Sequence, residues 1–361
     1  MVERITARGR NRSLLERQLL LERADIGVVA ALEHLVAMQA QSPQAPYVGL
    51  WSRLAGFDPD ELSRLLVARN VVRATSLRTT VHLSTTSDYL ALRPAVQTVL
   101  DRSFASSPFA KDLDGLDVDK IRAAGRDVLS RTPLTRAALG PVLAEQFPGP
   151  DASSLGYAAT WSEPVVQLPP RGVWQASGQA VFAPAATWLG RELAAPAAPE
   201  DLLLRYLGAF GPATVADAQV WSGLTGLRAA ADRLRPRLVV LCDDEGRELL
   251  DLPDAPRPAD DVPAPVRFVP EYDNLLLSHA DRSHVIADDH RPRVFVRGAL
   301  LVDGYVAGAW KLVRRRGTTT LALETFRSLR RDETADVDRE ADALLGFVAP
   351  GSEHCLEKVA G

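Results

Sequence analysis

"VVRATSLRTTVHLST" (residues 71–85) decides the fold. The stretch is rich in Val and Thr and predicts a β-hairpin turning near Ser76 to Arg78. Upstream, "NRSLLERQLL" (11–20), "ADIGVVAALEHLVAM" (24–38), "PYVGLWSRL" (46–54) and "DPDELSRLLVAR" (58–69) carry helical apolar spacing. Asp25 is placed as an N-cap, and Asp58-Pro59 is a helix start signal. Helices closed by a basic hairpin are the outline of a winged helix.

The outline recurs twice. "VDKIRAAGRDVLSR", "PLTRAALGPVLAEQF" and "SSLGYAATWSE" lead to "VVQLPPRGVWQASGQAVFAP", which predicts two strands around Arg171-Gly172. "PEDLLLRYLGAF", "TVADAQVWSGL" and "GLRAAADRL" lead to "RLVVLCDDEGRELLDL", whose Asp-Glu-Gly is a hairpin turn. The repeat is one of architecture rather than of sequence. "DLPDAPRPADDVPAPVRF" (251–268) is Pro- and Asp-rich and predicts a linker. Beyond it, residues 293–326 predict strand after strand, with turns at Asp303-Gly304 and Arg316-Gly317, and "DVDREADALLGFV" a final helix. The expected organisation is α+β: winged helices over 1–105, 106–196 and 197–255, then a β-rich part with a terminal helix over 256–361.

Composition narrows the class. No run approaches the roughly 18–20 apolar residues of a membrane span. The basic N-terminus has no apolar segment behind it, so no signal peptide is expected. Cys242 and Cys355 are the only cysteines and form no CxxC, which points to a reducing compartment, the cytoplasm, and against a disulfide frame. GxxxxGK[ST], a GxGxxG after a strand, and HExxH are all absent, so no nucleotide cofactor or zincin site is expected. The net charge of −4 speaks against a nucleic-acid binder, but its distribution does not. Residues 243–273 hold ten acids and three Arg, whereas 291–331 hold ten bases and two acids. A local field of that kind is what a polyanion meets. Only four of the 42 basic residues are Lys, a bias of the kind a GC-rich genome produces, so the Arg surplus carries little functional weight.

Three constellations could carry chemistry. His279, His284 and His290, with Asp281, Asp288 and Asp289, fit no defensible metal spacing and read better as a polar loop; no metal is expected. Arg314, Arg315 and Arg316 form a hairpin tip behind Trp310, either a solvated turn or a β-ribbon that grips phosphates. Arg73, Arg78 and His82 lie on the first hairpin, where DNA contact and ordinary surface charge are equally open. Gln39 and Gln41 flank Ala40. In a helix, residues two apart diverge by about 200°; in an extended chain they share a face. Pro43 pushes Ser42 out of helical space, so the helix begun at Asp25 should end near Met38 to Ala40 and let both amides project together. On these residues alone, capping or surface hydrogen bonding is the better explanation.

"MQAQSPQAPYVGLWSRL", "VVRATSLRTTVHL" and "PEYDNLLLSHADR", in this order, resemble the AlkZ/YcaQ family of bacterial winged-helix DNA glycosylases over nearly the whole chain. The resemblance implies three tandem winged helices around a concave basic cleft, and a hairpin that probes duplex DNA. It implies that Gln39-Ala40-Gln41 is a Gln-hydrophobic-Gln catalytic motif of the AlkZ type. The expected enzyme is a monofunctional, cofactor-free glycosylase, monomeric, acting on double-stranded DNA. Its substrates would be N7-alkylated purines, bulky adducts and interstrand crosslinks included, with self-resistance to a DNA-alkylating natural product as its role. The alternative is a non-enzymatic winged-helix DNA-binding protein or transcriptional regulator, although the chain shows no heptad seam for the dimerisation such a regulator needs. The probing hairpin is expected over 310–320, with the turn at Asp303-Gly304 as its rival.

Overall fold

The computed structural model describes residues 3–315 and 317–360. The chain enters through β1 (Glu3–Arg4) and α1 (Ala7–Arg17), the latter capped by Thr6 Oγ1, which accepts from Gly9 N. The first winged unit follows as α2 (Val28–His34), β2 (Met38–Gln39), α3 (Ala45–Trp51), α4 (Pro59–Val67), β3 (Val71–Thr75) and β4 (Val81–Thr85). The Asp-Pro signal holds: Asp58 caps α4 by accepting from Asp60 N. The Asp25 cap does not. Gly27 occupies the cap position of α2, and Glu61 Oε1 on α4 accepts from Val28 N instead, so the helix start is satisfied from another element. Nor does α2 reach Met38; it stops at His34 because residues 38–39 are taken as a strand by β4. The unit closes over Val28, Leu32, Leu62, Leu66 and Leu83, all buried, each worth about 1.5–3 kcal/mol of removed apolar surface.

Helices α5 (Thr86–Ala95), α6 (Gln97–Ala105) and α7 (Pro108–Asp112) bridge to the second unit. That unit runs α8 (Val118–Arg131), β5 (Leu134–Thr135), α9 (Arg136–Ala144), α10 (Ala152–Trp161), β6 (Val165–Gln167) and β7 (Val181–Pro184). The two units have the same order of helix and strand, and their wings join edge to edge. Strand β3 pairs antiparallel with β6, giving one six-stranded sheet in the order β2-β4-β3-β6-β7-β5. The join removes the free edge of each wing. After α11 (Ala185–Leu189), the third unit runs α12 (Pro199–Phe210), α13 (Val215–Ser222), α14 (Arg228–Leu234), β8 (Val239–Cys242) and β9 (Glu248–Asp251). An Ala213–Leu250 bridge stands where the other units have their first strand, and β1 pairs with β8.

The last part is a five-stranded sheet of β10 (Arg267–Val269), β11 (Gly298–Val302), β12 (Tyr305–Arg315), β13 (Thr318–Thr325) and, after α15 (Arg331–Val348), β14 (Glu353–Ala360). Two expectations need correction here. The helix at 331–348 is not final: β14 adds in parallel to β13, a pairing that a one-helix return makes possible. Residues 293–297 are not strand, because a 3-10 segment, Asp288–Val294, precedes β11. The linker expected over 251–268 is a connecting segment, and two of its acids dock it on the N-terminal region. Asp251 accepts from Arg17 at 2.7 and 2.9 Å, Asp260 accepts from Thr6 (2.5 Å), and its carbonyl from Arg8. Its last residues form the edge strand β10.

Helix α1 therefore belongs to the core of the third unit, where Leu14 and Leu15 pack with Leu203, Tyr206 and Phe210. Arg17 and Asp251 are both fully buried, so the pair is held by mutual neutralisation away from water. Asp251→Ala leaves the Arg17 guanidinium buried without its counter-charge. The expected loss is about 3–5 kcal/mol, read as a lower urea midpoint with an unchanged slope.

Candidate active site

The two glutamines sit on the first strand of the first unit and on the bend after it. Their extended stretch lies at the edge of the six-stranded sheet and is pinned from both sides. On the inner side, Gln39 pairs with His82, Ala40 N donates to Val81 O (2.8 Å), and Val81 N donates to the Gln41 side-chain oxygen (3.3 Å). On the outer side no further strand pairs with it among the described residues. The side chain of Asn274 stands in for one: its Oδ1 accepts from Gln39 N (3.3 Å) and its Nδ2 donates to Ala37 O. Asn274 is in turn placed by Asp273, which accepts from Leu275 N and from both terminal nitrogens of Arg53 at 2.9 and 2.7 Å. Arg53 and Asp273 are buried. Gln39 is 9% exposed, whereas Gln41 is open to solvent.

The first hairpin does not carry the surface charge expected of it. Arg73 is buried, and its Nη1 donates to Ala40 O (2.8 Å), so it clamps the residue between the glutamines. Burial, and then the charge of Arg171, lower its pKa to about 10, which leaves it a cation at neutral pH. His82 is buried too. Its Nδ1 lies 3.0 Å from Thr80 O, and its Nε2 faces Arg78 Nη2 at 3.5 Å, an arrangement that suits a neutral ring protonated at Nδ1. Burial, then the Arg78 cation, push its pKa down to about 3. Arg78 lies in the turn rather than in a strand, with φ of 51°, so strand alternation with His82 does not apply. Its Nη1 donates to Trp221 O (2.5 Å) and its Nη2 to Gln39 Oε1 (3.0 Å). The expectation that Arg73 and His82 contact DNA is thus corrected: both are buried, His82 within the first unit and Arg73 between it and the second.

Trp310 is corrected in the same way. It is buried against Phe268, and its Nε1 donates to Val269 O (3.0 Å), so it braces the C-terminal sheet. Arg314 and Arg315 are exposed at the end of β12; Arg316 lies outside the described residues. The rival turn at Asp303-Gly304 is docked on α1. Asp303 is held by Arg8 and Arg12, and Gly304 O accepts from Asn11 Nδ2 (2.9 Å). The left-handed φ of Gly304 and its closeness to Asn11 and Leu15 leave no room for a side chain. His279 and His284 are buried rather than in a polar loop, with rings 4.8 Å apart, and burial holds the pKa of each down. Among the described residues no group of three or more His, Cys, Asp or Glu gathers as a metal site.

Two residues that support the glutamines were missed, and so was an exposed apolar pair elsewhere on the surface. Asn274 and Asp273 lie in "PEYDN", which marks the resemblance but has no periodicity to reveal its role. Tyr272, next to them, has a left-handed φ of 60° and meets Phe295 edge-on at 5.9 Å. Phe295 and Val296 are 65% and 67% exposed between Arg293 and Arg297. Their signal in the sequence was hidden because "RVFVR" reads as a strand. On its core side Gln39 borders an interior void of about 10 Å³ with Met38, Arg53 and Asn274, a packing space far below the several hundred Å³ of a ligand pocket. A cavity of about 430 Å³, lined by Arg10, Asp217, Arg228 and Arg247, belongs to the third unit.

Tandem winged units, two amides held at a sheet edge and an exposed basic hairpin define a DNA-acting α+β protein. The comparisons give the family. Residues 32–347 match the family described as DNA glycosylase AlkZ-like. An interstrand DNA cross-link repair glycosylase of Streptomyces sahachiroi is 23% identical over 357 residues, covering 91% of this chain and 92% of that protein. The solved structure of Streptomyces sahachiroi DNA glycosylase AlkZ superposes with a TM-score of 0.78 at 20% identity, over 99% of this chain and 100% of that one, and shares its fold. The chain belongs to the AlkZ-like DNA glycosylase family and is a DNA glycosylase. No helix among the described residues is long and apolar enough to cross a membrane.

The buried histidines set a pH dependence. His82, His279 and His284 stay neutral in the fold, while the unfolded chain protonates them near pH 6.5. Below that pH the unfolded state binds more protons, so stability falls as pH drops. For His82 the fall runs from about 6.5 towards about 3. Urea unfolding at pH 7, 6 and 5 should show it, at up to about 1.4 kcal/mol per pH unit for each histidine. His82→Gln should have a shallower decline.

Proposed function

We propose that the enzyme hydrolyses the N-glycosidic bond of N7-alkylated purines in duplex DNA, bulky adducts and interstrand crosslinks included, and leaves an abasic site. Gln39 and Gln41 are the proposed catalytic pair. The observation that carries this is the open setting of the motif: Gln41 is exposed to solvent on the bend that follows the edge strand β2. A site of this shape suits a lesion attacked where it lies, and a base joined to both strands cannot be turned into an enclosed pocket. Enzymes that flip their base depend on such a pocket.

The chemistry fits uncharged side chains. N7-alkylation makes the purine cationic, so it leaves without a general acid. What remains is to hold a water and to offer oxygen lone pairs to an oxocarbenium-like sugar. Each amide oxygen here has one protein donor, Arg78 for Gln39 and Val81 N for Gln41, and a carbonyl oxygen has two lone pairs. One remains on each for water or sugar. None of the four lysines lies on β2, β3, β4 or the 270–282 segment, in keeping with a monofunctional enzyme without a Schiff-base step. Arg314, Arg315 and Arg316 are the proposed backbone grip. The protein acts as a monomer in the cytoplasm, and its biological role is self-resistance to a DNA-alkylating natural product.

The test is base release from duplex DNA bearing N7-methylguanine and, separately, from DNA crosslinked by a bis-alkylator, read as alkali-sensitive strand breaks. Wild type should release base from both. Gln39→Ala and Gln41→Ala should each lose at least about 100-fold in rate with DNA affinity kept. A duplex carrying a neutral lesion should be a poor substrate. No release from either DNA, together with tight sequence-selective binding, would leave a DNA-binding regulator.

A further inference from the structure

We propose that Arg78 is a positioning residue: seated on the C-terminal end of α13, it fixes which end of the Gln39 amide faces the substrate. The inference rests on the assignment of Gln39 to the catalytic pair.

The geometry is a strut between two units. Arg78 stands in the turn of the first wing, yet Leu77 beside it is packed in the core of the third unit with Trp221, Val96 and Leu100. The approach is close. A side chain on Gly223, the left-handed C-cap of α13, would lie 3.4 Å from Arg78 Cα and 3.1 Å from Val99. The backbone at Arg78 and Thr79 is left-handed, with φ of 51° and 60°, and it sends the Arg78 side chain back along the wing instead of out to solvent. One guanidinium nitrogen meets Trp221 O at 2.5 Å. That carbonyl is in the last turn of α13, where helix carbonyls have no intrahelical donor and the helix dipole favours a cation. The other nitrogen reaches Gln39 Oε1 and His82 Nε2. His82, whose Nδ1 faces the Thr80 carbonyl, can only accept there, so both terminal nitrogens of Arg78 meet acceptors.

What this does to Gln39 follows from the amide. Its oxygen and nitrogen ends are nearly equal in size and opposite in hydrogen-bonding sense. Left alone, the group can turn over, and half of its orientations would aim N–H bonds where an oxygen lone pair is needed. A guanidinium admits only the oxygen end, by a charge-assisted bond. The Nε2 end then has no partner among the described residues and is not sealed from solvent. Gln41 is held likewise, through Val81 N, but by a backbone group that only a proline, at the cost of the strand, would remove. Arg78 is therefore the one side chain through which the orientation of the pair can be tested. Arg282 is the charged neighbour that faces it.

The experiment measures single-turnover release of N7-methylguanine from a duplex at saturating enzyme, for wild type, Arg78→Ala, Arg78→Lys and Gln39→Ala. DNA affinity is measured against salt concentration, and thermal unfolding alongside. Arg78→Ala should be slower by roughly 10- to 100-fold, the effect of removing a supporting partner in a preorganised site. Its DNA affinity and salt slope should be unchanged. Methylguanidinium should restore part of its rate against an equal concentration of sodium chloride, and restore none in Gln39→Ala. If Arg78→Ala does not fold, Arg78→Lys keeps charge and stem but cannot bridge both oxygens, and should lose rate without losing affinity. An unchanged rate with weaker binding and a salt slope reduced by about one makes Arg78 a phosphate contact and overturns the proposal. A slow, less stable Arg78→Ala that methylguanidinium does not restore makes the residue merely structural and also overturns it. An inactive Gln39→Ala beside a fully active Arg78→Ala defeats this inference alone; a fully active Gln39→Ala defeats the catalytic pair and this inference with it.

Discussion

An edge strand two residues long is the constraint on which the site depends. β2 has one neighbour in its sheet, and a strand so short and half-paired has no stability of its own. It is held because Asn274 closes its outer edge, Arg73 clamps the Ala40 carbonyl, and the buried Arg53–Asp273 pair fixes the loop that carries Asn274. Those residues come from three distant parts of the chain. The glutamines thus inherit their rigidity from the whole assembly, as preorganised groups must if they are to act without reorganising.

Arginine does the structural joining. Arg10, Arg17 and Arg53 each sit buried opposite an Asp, and Arg73 is buried against carbonyl oxygens. A planar fork with five donors can satisfy several acceptors at once, which a lysine cannot. The surplus of arginine set aside as a codon effect is therefore also a set of internal fasteners. The same is true of the acidic stretch 243–273. Part of its charge is not a surface patch but buried counter-charge for arginines brought from elsewhere, as Asp251 serves Arg17 and Asp273 serves Arg53. Net charge along a sequence window cannot distinguish these two uses.

Local signals were legible where the physics is local. The helices of all three units, the turn after Cys242, the cap at Asp58 and the paired strands of each wing follow from apolar spacing and turn chemistry within a dozen residues. β14 was missed because its pairing with β13 depends on α15 returning the chain. The cap of α2 was misplaced because Glu61, not Asp25, supplies it. The surface roles given to Arg73, His82 and Trp310 failed for one reason: a strand pattern says which residues share a face, but not which face another unit covers. The edge-to-edge join of β3 with β6 encloses Arg73, and β10 receives Trp310.

By itself, the sequence determined the α+β class, the repeated helix-and-hairpin outline, the family, and the two glutamines as the residues of interest. Each of these is written in periodicity, turn residues or motif. Only the tertiary structure decided that the amides stand on a pinned edge strand, that the first wing's arginines serve the glutamines instead of the solvent, and that the Asp303-Gly304 turn is docked while Arg314 and Arg315 are exposed. The physical reason is that orientation and burial are set by partners some 40 to 240 residues away, through hydrogen bonds such as Arg78 to Gln39 and Asn274 to Gln39, and no local pattern encodes which distant partner will arrive.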